Sequence, residues 1–122
     1  MPAKHFSQKI GKQAEDFACH YLQAVGLKLI TRNFRCRTGE IDLIMQDKKE
    51  LVFVEVRYRC REDFGEPAET ITLRKQHKLF QAASYYLQQN QLTNRVACRF
   101  DVLALTAPLT FERVQWIQNV LF

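Results

Sequence analysis

A chain of 122 residues, 47% hydrophobic and 25% charged, has the size and composition of one globular domain, taken here as a single unit over residues 1–122, and is too short for two cores. No apolar run approaches the ~20 residues of a membrane span, and no apolar segment follows the basic start MPAKHFSQKIGKQ, so neither a membrane protein nor a secreted one is expected. The net charge of +5 is gathered in two arginine clusters, Arg32, Arg35 and Arg37, then Arg57, Arg59 and Arg61; this points to a polyanionic partner, nucleic acid first, with a solvated basic surface as the plainer alternative.

The four cysteines, Cys19, Cys36, Cys60 and Cys98, form no C-x-x-C pair, and no histidine stands at finger spacing from them. Neither a structural zinc nor disulfides are expected, which places the chain in a reducing cytoplasm. Along the chain, Ser7 is a helix cap and the helix is expected to run to Val25, with Gly26 as the residue that ends it. Its apolar positions, Ile10, Ala14, Phe17, Ala18, Tyr21, Leu22 and Val25, make one stripe. At about 100° per residue, Glu15 borders that stripe and Asp16 lies on the solvated side. On this helix alone, Glu15 reads as an ordinary flanking charge.

Residues 27–34 (LKLITRNF) form a short strand and residues 36–39 a turn. A β-hairpin follows over 39–59, turning at Asp47-Lys48-Lys49-Glu50. Residues 64–67 (FGEP) are a loop broken by Gly65 and Pro67. An extended piece then leads through Ile71 to a helix over Leu73–Gln89, capped by Thr72. Its inner stripe is Leu79, Ala83, Tyr86 and Leu87. Lys75 and Gln76 continue that stripe to the helix start, polar where the pattern expects apolar residues: either the stripe has run out into solvent or, the reading preferred here, the pair is aimed at something polar. Residues 90–94 form a loop. A strand covers 96–106, with Val96, Cys98, Phe100, Val102 and Ala104 on one side. Pro108 marks a turn, and 111–117 is a last strand. This α/β order, αβββαββ, predicts a central mixed sheet of about five strands flanked by helices.

In the hairpin, a symmetric register sets Asp42 opposite Glu55, Glu40 opposite Arg57 and Ile44 opposite Phe53. One face then carries Glu40, Asp42, Ile44, Phe53, Glu55 and Arg57. The other carries Ile41, Leu43, Met45, Val52, Val54, Val56 and Tyr58 and is wholly apolar. Opposed carboxylates destabilise a sheet unless a cation lies between them or they share a proton. Mg²⁺ is commonly held by one or two carboxylates with waters and substrate phosphate oxygens, and arginines nearby suit a phosphate backbone. The alternative is an exposed face with Glu40–Arg57 as a cross-strand ion pair.

The ordered set Gly11, Ala14-Glu15, Ala18, Tyr21-Leu22, Gly26; Arg32-Asn33-Phe34-Arg35; Gly39-Glu40-Ile41-Asp42-Leu43-Ile44; Phe53-Val54-Glu55-Val56-Arg57-Tyr58-Arg59; Phe64-Gly65; and Arg99-Phe100-Asp101-Val102 resembles the YraN family of small bacterial proteins over nearly the whole chain. That resemblance implies a restriction-endonuclease-like fold, close to Holliday junction resolvases. It implies Glu15 as the helix acid, Asp42 as the central metal-binding acid and Glu55 as the second ligand, with Mg²⁺ or Mn²⁺ as the cofactor. Arg57 takes the place of the superfamily's lysine, and Lys75 or Gln76 falls where resolvase-like members carry a further polar residue. An arginine is not deprotonated in practice, so Arg57 is no general base.

The function implied is a metal-dependent nuclease on structured or branched nucleic acid, DNA ahead of RNA. Asp42, Glu55, Glu15 and the Val56 carbonyl would hold the metal. Arg57 and Lys75 would assist, and Arg32, Arg35, Arg37, Arg59 and Arg61 would hold the backbone. A non-catalytic nucleic-acid-binding module of the same fold is the alternative that Arg57 permits, and a protein–protein adaptor is a third. Resolvase-like enzymes are often homodimers, but no exposed apolar stripe marks an interface here.

Overall fold

The computed structural model describes residues 2–59 and 72–120, with side chains from Gly11 onward. Cys60, Arg61, the FGEP loop and the extended piece through Ile71 lie outside the described residues. The elements are α1 (Pro2–Ala24), β1 (Lys28–Cys36), β2 (Gly39–Asp47), β3 (Glu50–Arg59), α2 (Leu73–Gln89), β4 (Cys98–Thr106) and β5 (Val114–Ile117). The order is the αβββαββ expected, in the arrangement of the restriction-endonuclease-like fold.

Helix α1 starts at Pro2, ahead of the expected cap. Proline suits a first helical turn because its φ is already helical and its missing N–H has no partner there anyway. Nothing in the next residues breaks the helix, so Ser7 lies inside it. The C-terminus is closed as Gly26 suggests. Gly26 has φ +108°, its N–H donates to the Gln23 carbonyl, and the Leu27 N–H reaches back to the Leu22 carbonyl at 3.0 Å. Leu22 and Leu27 are both buried, completing the apolar contact of this cap. Val25 falls past the helix end and is exposed, so it does not belong to the stripe. Helix α2 ends in the same way, with Gln91 in the left-handed region and the Leu92 N–H on the Leu87 carbonyl.

The sheet order is β1-β2-β3-β4-β5, with β3 and β4 parallel and the other neighbours antiparallel. Helix α2 lies on the crossover between the parallel pair, as that connection requires. The hairpin turns on Lys48 and Lys49, and its ladder pairs Asp47 with Glu50, Met45 with Val52 and Leu43 with Val54, the register expected from the sequence. One core lies under α1, where Ala14, Ala18 and Leu22 pack on Leu43, Met45, Val52, Val54, Leu103 and Leu105. The second lies under α2, where Leu79, Ala82, Ala83 and Tyr86 pack on Ile41, Ile44, Leu51 and Phe53. Residues 111–113, expected in the last strand, form instead a 3-10 turn, closed by the Arg113 N–H on Thr110 O. It lays the Phe111 ring edge-on against Phe17 and Tyr21 of α1.

Near the turn end of the hairpin, charge is buried and satisfied. Asp101 on β4 is buried. Its carboxylate accepts from Arg99 Nε at 3.1 Å, Trp116 Nε1 at 2.9 Å and the Asn119 N–H at 2.9 Å. The Arg99 guanidinium spends its other nitrogens on Glu50 (2.8 Å) and Asp47 (3.0 Å). Burial by itself would lower the Arg99 pKa, but its bonds to Asp101, Asp47 and Glu50 raise it instead. Removing one partner of a buried pair leaves the other charge uncompensated. We therefore expect Arg99→Met to lower the unfolding free energy by about 3–5 kcal/mol. Trp116→Phe keeps the ring, removes one donor to a charged group and costs about 1.5–3 kcal/mol. Urea titrations read both values, and a near-neutral Arg99→Met would show that the remaining donors suffice for Asp101.

Candidate functional site

The open end of the hairpin behaves differently from its turn. The β2–β3 ladder stops at Leu43–Val54. Two residues further on, the Val56 N–H donates to a side chain, Asp42 Oδ2, at 2.8 Å. A side chain thus satisfies a strand donor, which leaves the two strands to part there.

The facing of the strands changes at the same place. Arg32 pairs with Leu43, and both lie on the α1 side: Leu43 is in that core and the Arg32 guanidinium reaches Asp16 of α1 at 2.6 Å. Phe34 pairs with Ile41, and both lie in the α2-side core. Residues two apart on a regular strand share a face, so the facing reverses between these pairs. Asn33, with φ +52°, stands at the reversal on β1, and Asp42 stands at it on β2. Ile41 therefore joins Ile44 under α2 rather than Leu43 under α1, which corrects the regular alternation expected for β2. Asparagine tolerates the left-handed region better than most residues. That is the one signal in the sequence by which Asn33 shows itself.

At this crossing, Asp42 of β2 and Glu55 of β3 adjoin, and Glu15 of α1 lies within reach of the Asp42 charge. Asp42 lies near enough to Glu55 for each carboxyl group to bear on the other. Burial, then the Glu55 charge, pushes Asp42 up from its ordinary 3.8 to about 7, against the pull of the Val56 N–H and Lys75. Glu15 of α1 is half-buried, and its pKa is raised by burial and then by the charge of Asp42; a hydrogen bond with Asn33 and the Arg32 charge oppose the rise. Glu55 is 7% exposed, and its Oε2 is buried with no hydrogen-bond partner. Lys75 Nζ stands 3.5 Å from that same oxygen. The Thr72 hydroxyl caps the Lys75 N–H, so the first turn of α2 aims this lysine at the acids.

Helix α2 is brought to the site by Gly39. A Cβ added there would lie 2.8 Å from the Lys78 carbonyl oxygen, so only glycine lets the β1–β2 turn approach the helix this closely. Of the other predicted residues, Arg57 is half-buried on β3 beside Ala104. Arg59 is half-buried at the end of that strand. Arg32 is engaged with Asp16 and, at 4.0 Å, with Glu15, so it is held by the helix acids. Arg35 pairs with Glu40 at 3.2 Å. Arg37 is exposed in the turn, and Arg61 lies outside the described residues. Among the described residues, no three His, Cys, Asp or Glu side chains form a ready-made metal cage. A two-carboxylate site completed by water and substrate oxygens suits Mg²⁺ without such a cage. Glu55 Oε2, which accepts no hydrogen bond among the described residues and faces the Lys75 ammonium at 3.5 Å, fits a cation.

Two consequences are measurable. Between its ordinary value and about 7, folded Asp42 keeps a proton that the unfolded chain has lost. Its contribution to stability is whole at acid pH and is lost as the pH rises through neutrality. Asp42→Asn is expected to flatten that decline and to melt above the parent in metal-free buffer at about pH 8; thermal melts across pH would show the opposite order if Asp42 were an ordinary ionised carboxylate. Gly39→Ala is expected to cost about 1–3 kcal/mol, because the methyl meets backbone rather than a movable side-chain tip. Denaturant melts measure it.

Comparison with known proteins adds kinship. A family model described as "Uncharacterised protein family UPF0102" matches residues 14–105. The chain is similar to a UPF0102 protein of Nitrosococcus oceani, 48% identical over 97% of this chain and 94% of the relative. It is also similar to one of Coxiella burnetii, 49% identical over 94% and 93%, and to one of Stutzerimonas stutzeri, 45% identical over 93% and 94%.

Proposed function

We propose that this chain, which belongs to the uncharacterised protein family UPF0102, the YraN family, is a metal-dependent nuclease acting on structured or branched DNA. The observation that carries the reading is the Asp42–Glu55 pair: two carboxyl groups in contact, one oxygen of Glu55 buried without a hydrogen-bond partner, and a lysine ammonium beside it. A sheet does not keep such a pair for stability. Its chemistry suits a divalent cation, Mg²⁺ or Mn²⁺, held by Asp42 and Glu55, with Glu15 and the Val56 carbonyl in support. When bound, the cation supplies positive charge against the scissile phosphate and acidifies a water.

The chain's own residues have distinct parts. The Val56 N–H fixes the Asp42 carboxylate. Arg57 offers fixed positive charge for the phosphate oxygens but takes no proton. Lys75, arriving from α2, supplies the amine that β3 lacks at position 57. It stands where it would orient the attacking water or offset charge on the leaving oxygen. Charge on Arg35, Arg37, Arg59 and Arg61 would hold the backbone without reading sequence. The ion pairs of Arg32 with α1 suit it better to holding Glu15 in place.

The test is to incubate the protein with duplex, single-stranded, flap and four-way-junction DNA in Mg²⁺ or Mn²⁺, with chelator controls. Cleavage is expected on branched substrates and is lost in Asp42→Asn and Glu55→Gln. Lys75→Met is expected to lower the rate about 10²–10³-fold, and Arg57→Lys to raise it. Binding without cleavage under every condition would overturn the nuclease and leave a non-catalytic binding module of the same fold.

A further inference from the structure

Two cavities continue the site along α2. The first, of about 460 Å³, lies between the β1–β2 turn and the helix; Arg35, Arg37, Lys75 and Lys78 bring four cationic side chains to it and Glu40 one carboxylate. It begins at the acid pair, because Lys75 borders both. The second, of about 530 Å³, shares Arg35, Cys36, Arg37 and Thr38 with the first and ends at Phe34, Tyr85 and Gln89. On α2, the residues 75, 78, 82, 85 and 89 recur at alternating steps of three and four, which is one face of a helix. From Lys75 to Gln89 that face runs about 21 Å. Ala82 in its middle is small and buried, so cations stand at one end of the stripe and an aromatic ring at the other.

Tyr85 is 48% exposed although it is a large ring. The Phe34 ring lies 6.3 Å from it, tilted by 35°. Beneath both, Tyr86 and Phe53 already close the core. Tyr85 thus presents a ring at the end of a cationic trough that leads from the acid pair. Backbone-tracking cations with an exposed aromatic ring are the pattern by which proteins hold unpaired strands, because every base has a face to stack while a paired duplex hides it.

We infer that this trough takes an unpaired DNA strand leading away from the scissile position, with its phosphates on Arg37 and Lys78 and a base stacked on Tyr85. The inference deepens the nuclease reading by naming the substrate class, strands with an unpaired arm beside the cut, and it rests on that reading for where the strand leads.

The experiment measures binding, so that it is separable from cleavage. The anisotropy of a fluorescent oligothymidylate and of a blunt duplex is followed over a salt series without divalent metal, using the full-length protein. Tyr85→Ala is expected to weaken oligothymidylate binding about five- to a hundredfold, with duplex binding and the salt slope unchanged, and Tyr85→Phe to restore it. Arg37→Gln and Lys78→Gln are each expected to reduce the slope of log affinity on log salt by about 0.7. Equal effects of Tyr85→Ala on both DNAs, or none on either, overturn the trough. Tyr85-dependent binding by a protein that never cleaves keeps the trough and removes the nuclease. Cleavage of branched DNA that is indifferent to Tyr85→Ala does the reverse.

Discussion

The bond from the Val56 N–H to Asp42 Oδ2 is the contact on which the candidate site depends. A strand donor in the sheet interior must find an acceptor. Here the acceptor is a side chain, so the ladder ends and β2 is released from β3 at one chosen residue. Asp42 is thereby held at the point where the strands reverse their facing. From there its charge is felt by Glu15 on the α1 side, and it adjoins Glu55, which Lys75 approaches from α2. A regular strand would give a carboxylate to one face only. The reversal lets a single acid be reached from both layers of the fold.

The two ends of the same hairpin treat charge in opposite ways. At the turn, Asp47 and Glu50 share Arg99 with the buried Asp101, and Trp116 and the Asn119 N–H complete the acceptor's needs. Such a network holds β2, β3, β4 and the segment after β5 in one geometry. At the open end, two carboxyl groups adjoin, burial and the Glu55 charge raise the Asp42 pKa, and one oxygen of Glu55 is left without a hydrogen bond. The first arrangement costs little because its groups are satisfied. The second is unfavourable unless a cation or a shared proton offsets the like charges. Both ends stand on the same strand, the ten residues of β3.

Position 57 of β3 holds an arginine, and an amine reaches the acids from Lys75 of α2. Arg57 brings charge to β3 but no exchangeable amine. Lys75 comes to the acids from another element, by way of the close approach of Gly39 to the Lys78 carbonyl and the Thr72 cap that sets the first turn of α2. The same approach opens the cationic trough beside the helix. One glycine thus carries both the lysine and the surface on which a strand would lie.

The sequence by itself determined the element order, the hairpin register and the cap at Gly26. These follow from local rules: alternating apolar residues in β2 and β3, a two-residue turn, and a residue able to adopt φ +108°. It also marked Asp42 and Glu55, because a register that pairs Met45 with Val52 sets two carboxylates opposite one another. The helix start at Pro2 and the 3-10 turn at 111–113 escaped it, since both hinge on which of several permitted local conformations the packing selects. Only the tertiary structure decided that Ile41 faces α2, that Arg32 is taken by Asp16, that Arg99 gathers three acids and that Lys75 reaches Glu55. Each of these depends on contacts between segments far apart in the chain. Such contacts are fixed by how two helices close on a sheet, and no periodicity within one segment records them.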